Sequence, residues 1–133
     1  MSRPSMSLLD PVRIAAAVPW IEFAEQVLVC ARRVRARLAA AASRQGLSEP
    51  EVELLWACAK SPPSGRSQNE LAGDLAVSPA HISSVVERLR RAGLLQCAVA
   101  EGDRRLRLWR LTPAGQSVWQ MLSDDLPCQG EAA

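Results

Sequence analysis

Positive charge is concentrated in one segment of this chain. Between Ser78 and Leu111 the sequence holds seven arginines against Glu87, Glu101 and Asp103, a net charge of +4. The whole chain carries only +2, so the remainder sums to −2. Because a guanidinium group matches phosphate with paired N–H donors, a basic module of this kind is typical of proteins that contact a nucleic-acid backbone. The arginines are Arg88, Arg90, Arg91, Arg104, Arg105, Arg107 and Arg110.

The sequence gives little support for a catalytic site or a metal site. His81 is the single histidine, and no nucleophile elbow, phosphate-binding glycine loop or paired-acid motif accompanies it. The cysteines, Cys30, Cys58, Cys97 and Cys128, show no C-x-x-C spacing, so we expect no metal site and no cofactor. We therefore expect a protein that is not an enzyme. Cys30 lies among arginines, which leaves open a cysteine-based redox switch.

Two short helices precede the basic hairpin. Ser67-x-x-Glu70 is a capping box, and Leu71, Ala72 and Leu75 give the first helix an apolar stripe. Only two residues separate it from Ser78-Pro79, an N-cap and first-turn pair that starts a second helix running to about Ala92. This spacing predicts a helix-turn-helix. The second helix buries one face, consisting of Ile82, Val85, Val86 and Leu89, and presents a short polar face opposite.

A hairpin follows directly. Residues 94–100 and 105–111 are strand-like runs, and Glu101-Gly102-Asp103 joins them as a turn.

At this point the sequence resembles the winged-helix regulators of the multiple-antibiotic-resistance (MarR) type. The segments LSEPEVELLWACA, NELAGDLAVSPAHISSVVERLRRAGLL, EGDRR and RLTPAG occur in the order typical of that family, and the resemblance covers roughly Leu47 to Leu122. It implies a mainly α fold with a small antiparallel β-hairpin wing: a winged helix-turn-helix with a long N-terminal dimerisation helix. Arg66 stands where the family usually has an apolar residue before the capping serine, so we expect the small strand at that position to be weak or absent.

The resemblance also implies which residues meet DNA. Ser78, Ala80, His81, Ser83 and Ser84 would face bases in the major groove, and Arg88 and Arg91 would lie nearer phosphates. Arg105 would be the wing arginine that reaches the minor groove, flanked by Arg104 and Arg107, with Asp103 shaping the wing. The two serines predict shallow base discrimination, because they cannot supply bidentate guanine recognition.

The predicted organisation has five parts: an N-terminal arm (1–19), a long helix (20–44), the winged helix-turn-helix (47–111), a C-terminal helix that is short for the family (112–126) and a tail (127–133). The long helix carries a wide apolar stripe. It could be a core helix of the monomer, but we favour dimerisation through Trp20, Phe23, Val27, Leu28, Val34, Trp119 and Leu122. Val52, Leu55, Trp56 and Ala59 of the intervening helix are expected to pack inward.

The functional hypothesis is a cytoplasmic, homodimeric transcription regulator, most simply a repressor, that binds double-stranded DNA at a pseudo-palindromic operator. The family resemblance suggests release by a small aromatic effector. No apolar run approaches the ~20 residues of a membrane span, so no membrane contact is expected. Two alternatives stay open: a winged-helix protein-interaction module that has lost DNA binding, and a cysteine-based redox-sensing regulator.

Overall fold

The computed structural model describes residues 19–100 and 102–126. The elements of this part are α1 (Trp20–Arg44), α2 (Glu49–Ala59), α3 (Gln68–Leu75), α4 (Pro79–Arg91), β1 (Leu95–Ala100), β2 (Asp103–Leu111) and α5 (Pro113–Asp125). It is mainly α with one two-stranded antiparallel sheet, as the sequence predicted. The expected N-terminal arm, apart from Pro19, and the tail at 127–133 lie outside the described residues, as do Glu101 and Cys128.

Side-chain caps explain why the helices begin where they do. The Ser67 hydroxyl accepts the Glu70 N–H (3.2 Å), and the Glu70 carboxylate accepts the Ser67 N–H (3.1 Å). Ser78 caps α4 by accepting the His81 N–H at 3.1 Å, and Thr112 caps α5 by accepting the Gly115 N–H at 3.0 Å. Each cap satisfies a backbone donor that the first helical turn cannot. The predicted helix-turn-helix is therefore present, as α3 and α4.

The turn between α3 and α4 contains an unusual backbone conformation. Ala76 lies in the left-handed region at φ 54°, and the Val77 N–H donates to the Ala72 carbonyl. Alanine adopts this region at a cost of about 1 kcal/mol relative to glycine. Because the turn is tight, only three residues separate the end of α3 from the start of α4.

The wing is a hairpin of β1 and β2. Leu95 pairs with Leu111, the register continues to Val99 with Arg107, and it shifts between Val99 and Ala100. The second strand begins at Asp103, two residues earlier than the sequence pattern indicated. Arg66 forms a single bridge to Trp109 through two backbone hydrogen bonds of 3.0 and 2.8 Å. The strand expected to be weak at Arg66 is thus reduced to one residue pair.

The core lies between α2, α3, α4, α5 and the base of the wing, and all four predicted apolar residues of α4 are within it. Two expectations need correction. Trp56 was expected to pack inward but is 47% exposed, whereas Leu54 is fully buried. Leu122 was assigned to dimerisation, but its side chain is fully buried in the core, so it stabilises the protomer instead of contacting a partner.

The chain divides into two compact units at residues 36 and 37. In the first, α1 exposes a series of apolar side chains: Trp20, Ile21, Val27, Leu28, Val29 and Val34. In the second, Ala41 and Ala42 near the end of α1 are buried, and Arg44 pairs with Asp125 of α5. Among the described residues, no helix combines the length and hydropathy that crossing a bilayer requires.

Candidate nucleic-acid interface

Helix α4 has one buried face and one solvent face. Ile82, Val85, Val86 and Leu89 are each at most 1% exposed, which fixes the rotation of the helix in the core. The residues predicted to face DNA are all on the exposed side: Ala80, His81, Ser83, Ser84, Arg88 and Arg91. Ser78 is also exposed, and its hydroxyl oxygen is engaged as the N-cap. The geometry leaves a free polar surface over the first two turns of α4.

Glu87 organises the basic end of α4, a contact that the sequence analysis did not identify. Its carboxylate accepts two hydrogen bonds from Arg90 (2.9 and 2.7 Å) and one from Arg91 (3.0 Å). The hydrogen bonds and charge of Arg90, followed by those of Arg91, lower the pKa of Glu87 to about 2. The i, i+3 and i, i+4 spacings were the available signal. Arg91 is therefore held by Glu87, whereas Arg88 forms no ion pair with a described acid.

The wing turn is closed by Asp103. Its carboxylate Oδ1 accepts the Arg105 N–H at 2.9 Å, a side-chain turn of the type that aspartate favours. The side chains of Arg104, Arg105 and Arg107 are exposed, and none forms an ion pair with a described acid. The wing thus presents three guanidinium groups that no described acid neutralises.

A second arginine network joins the helix-turn-helix to the wing. The Arg66 side chain pairs with Asp74 at 2.6 Å and with Glu70 at 3.3 Å, both on α3. Its backbone is bonded to Trp109 on β2. Arg66 therefore links α3 to the strand that carries the wing arginines, which explains a polar residue where an apolar one was expected.

The base of the wing is also fixed to the start of α5. The Leu94 carbonyl accepts the Thr112 N–H at 3.1 Å, and the Thr112 hydroxyl donates to the Gly93 carbonyl at 2.6 Å. Gly115 packs against the same Leu94 carbonyl so closely that a Cβ at this position would overlap it. The base of the hairpin is therefore anchored to α3 through Arg66 and to α5 through Thr112, which sets the position of the wing beside α4.

The cysteines differ in environment. Cys58 is buried, and desolvation raises the pKa of its thiol to about 12, so it is protonated and unreactive at neutral pH. Cys30 and Cys97 are exposed. In the described part of the chain, no group of three or more histidine, cysteine or acidic side chains is arranged to hold a metal ion.

The residues predicted for dimerisation fall in both units. Trp20, Val27, Leu28 and Val34 are exposed on α1, and Phe23 is half-buried. Trp119 on α5 is half-buried against Trp56, with ring centroids 5.2 Å apart, and the Lys60 ammonium lies 5.5 Å from the Trp56 ring centroid. The exposed Trp56 and Met121 of the second unit were not identified from the sequence, because exposure of an apolar residue has no local signal.

The chain is similar to known transcription regulators in sequence and in structure. No protein-family model matches the chain. The transcriptional activatory protein BadR of Rhodopseudomonas palustris is 30% identical over 95 residues, which cover 71% of this chain. The chain spans about half of the length of that relative: the matched region covers 54% of it.

Solved structures share the fold at lower sequence identity. Wild-type MarR from E. coli in its apo form superimposes with a TM-score of 0.71 at 16% identity, covering 77% of this chain and 74% of that one. The S. aureus MepR–DNA complex gives 0.68 at 16% identity with the same two coverages. CouR from Rhodococcus jostii bound to p-coumaroyl-CoA gives 0.70 at 20% identity, covering 75% and 69%. The chain therefore has the fold of the MarR-family winged-helix regulators, and the resemblance carried by its sequence motifs is confirmed.

Proposed function

We propose that this chain is a homodimeric transcription regulator, acting as a repressor, that binds double-stranded DNA through α4 and the wing. The proposal rests on two neighbouring exposed surfaces that lie in the same compact unit of the chain. The polar start of α4 is free, and Arg104, Arg105 and Arg107 of the adjacent hairpin have no acidic partner among the described residues. A helix in the major groove and an arginine in the neighbouring minor groove fit this arrangement.

Support also comes from the matched proteins. MepR, which has the same fold, was solved in complex with DNA, which supports DNA binding. BadR is a transcriptional activatory protein, which supports a role in transcription regulation and not the choice of repression. Two copies of α4 related by a two-fold axis would enter major grooves about one turn apart, which makes the operator a pseudo-palindrome. In this proposal the exposed apolar side chains of α1 supply the dimer contact, including Leu28 and Val27.

The variant Arg105→Ala tests the wing contact. Because this guanidinium forms no ion pair with a described acid, its removal should weaken DNA binding about tenfold at low salt across many sequences. Fluorescence anisotropy with a labelled duplex measures the change. Arg32→Ala on α1 removes the same charge elsewhere and should have a much smaller effect. Equal affinities for wild type and Arg105→Ala would contradict the assignment of the wing.

We further propose that a small aromatic acid binds this chain and releases it from DNA. A groove of about 670 Å³ lies between the end of α2, the base of the wing and the start of α5. Its volume is in the range of small-molecule sites, and it combines apolar walls with a few polar groups. It is lined by Cys58, Pro62, Gln96, Arg110, Trp119 and Gln120, among others. CouR was solved with p-coumaroyl-CoA, a thioester whose acyl group comes from an aromatic acid, and this supports the proposed ligand class.

Titration with p-coumarate, followed by tryptophan fluorescence and by DNA anisotropy, tests the effector. Binding should change the fluorescence of the wild type and lower its affinity for DNA, because a ligand that prefers the free form shifts the equilibrium. Trp119→Leu should lose both responses and still bind DNA. A wild type whose DNA affinity does not respond to any hydroxylated aromatic acid would contradict release by this class of ligand.

A further inference from the structure

The tip of the wing contains an irregular segment of β2. On β1, Val99 and Ala100 are consecutive, but the residues paired with them on β2 are Arg107 and Asp103. Residues 104–106 therefore have no residue opposite them in the described part of the hairpin. A bulge of this kind interrupts the regular pairing and changes the direction of its side chains. The segment reads Arg-Arg-Leu, and all three side chains are exposed.

Leu106 is the apolar residue of this bulge and is 41% exposed. It does not belong to the core, to which β2 contributes Trp109 and Leu111. Its chain neighbours Arg105 and Arg107 are exposed, and neither forms an ion pair with a described acid. A single exposed leucine is ordinary on a protein surface. This leucine, however, lies between two guanidinium groups at the place where the wing meets DNA in the proposed function.

The minor groove of DNA presents one donor that depends on the base pair. Both kinds of base pair have acceptors on the floor of the groove, and a G·C pair adds the exocyclic amino group of guanine. An aliphatic side chain packed on that amino group leaves an N–H donor without an acceptor, which is costly in a contact that excludes water. An A·T pair has no donor there to be left unpaired. A leucine in the minor groove therefore disfavours G·C pairs.

We infer that Leu106 enters the minor groove between the guanidinium groups of Arg105 and Arg107 and makes the wing discriminate against G·C pairs. The inference rests on the proposed function, in which Arg105 reaches the minor groove, and adds to it a residue that sets sequence specificity. The two arginines respond to the width of the groove, whereas Leu106 responds to the guanine amino group on its floor. This contact complements α4, where Ser83 and Ser84 cannot supply bidentate guanine recognition.

Inosine gives the most specific test, because an I·C pair has the shape of a G·C pair without the amino group in the minor groove. The probe is a labelled duplex selected by the wild type from a random-sequence library. Hydroxyl-radical footprints of the wild type and of Arg105→Ala locate the base pairs beneath the wing. With A·T, I·C or G·C pairs at those positions, the wild type should bind the first two about equally and G·C about fivefold more weakly. Equal affinities for the I·C and G·C duplexes would overturn the inference.

Substitutions of Leu106 separate its contact from that of Arg105, because the guanine amino group also changes the groove width that an arginine reads. Leu106→Asn supplies an oxygen that accepts from the amino group, so the preference for I·C over G·C should disappear. Leu106→Met keeps an apolar side chain and should retain the preference. Because Leu106 lies outside the core, both variants should melt at the temperature of the wild type. A Leu106→Asn protein that keeps the full preference would overturn the inference.

Salt dependence provides a control for charge. Leu106→Asn removes no charge, so its slope of log K against log salt should equal that of the wild type, whereas Arg107→Gln should reduce the slope by about 1. If Leu106→Asn binds every duplex like the wild type, this side chain lies outside the DNA, as a protein contact would require, and the inference is overturned. A wild type that binds no duplex defeats the proposed function itself. Salt-dependent binding with the same base-pair preference in wild type and Leu106→Asn defeats only this inference.

Discussion

Glu87 shows how one acidic residue can organise a basic helix end. It accepts hydrogen bonds from Arg90 and Arg91 and is the only acid within α4. Its two partners form a compact network on the last turn of the helix, where positive charge also complements the helix dipole. Of the three arginines at this end of α4, only Arg88 has no ion pair with a described acid and is free to contact DNA.

This network predicts a specific pH dependence. Folding lowers the pKa of Glu87 from its ordinary value of 4.5 to about 2. The stabilisation is therefore complete above the unfolded pKa and is lost as the pH falls through the folded pKa. Urea denaturation from about pH 6 down to about pH 2 should show wild type more stable than Glu87→Gln at the upper end, with the difference shrinking towards the lower end. A difference that stays constant with pH would contradict the ionised network.

Gly115 gives a prediction on stability. A Cβ there would overlap the Leu94 carbonyl, which is also the acceptor for Thr112, so Gly115→Ala must displace α5 from the base of the wing. We expect a loss of about 1–3 kcal/mol, measured by chemical denaturation. Gly73→Ala on α3 is the matched control. It has open space around the added methyl and should stabilise by about 0.5–1 kcal/mol. Similar effects of the two substitutions would contradict the close packing of Gly115.

At the level of elements, the helix boundaries were predictable because their signals are local. Ser67 with Glu70, Ser78 with Pro79, and Thr112 with Pro113 each start a helix in the structure as the sequence indicated. The exposure of Trp56 and the burial of Leu122 were not predictable. A helical stripe shows that a face is apolar, but it does not show which neighbour covers each residue. The contacts of Arg66 with α3 and Trp109 depend on the tertiary fold in the same way.

The wing as an element depends on Asp103. Asp103→Ala and Asp103→Asn remove the same charge, but only the asparagine keeps an oxygen that can accept the Arg105 N–H. We therefore expect the alanine variant to bind DNA about threefold more weakly than the asparagine variant, the equivalent of one modest hydrogen bond. Anisotropy at one salt concentration compares them directly. Equal affinities would show that this hydrogen bond does not shape the binding surface.

At the level of the whole molecule, α1 is the least explained element for a monomer. In the first unit, α1 exposes six large apolar side chains; Leu28, for example, is 54% exposed and Ile21 is 62% exposed. An apolar surface of this kind on one helix marks an interface in most proteins. The sequence predicted the apolar stripe of α1 and its length, but a single chain cannot show which surface of a partner covers it.

The dimer is tested by Leu28→Glu. A charge in the centre of an apolar interface is not paired there, so the variant should lose the dimer, while Gln26→Glu on the same helix should keep it. Light scattering after size-exclusion chromatography should give twice the chain mass of 14.4 kDa for the wild type and the mass of one chain for Leu28→Glu. A dimeric Leu28→Glu protein would place the interface elsewhere.

The central claim is that the exposed face of α4 and the arginine wing bind one DNA duplex together. The most direct measurement is the affinity of the wild type for fragments of DNA across a range of salt concentrations. We expect log K to fall linearly with log salt at a slope of about −0.9 for each phosphate neutralised, hence a steep line for several contacts per protomer. A flat line, or no binding at low salt, would contradict DNA binding and favour a winged helix that serves protein contacts.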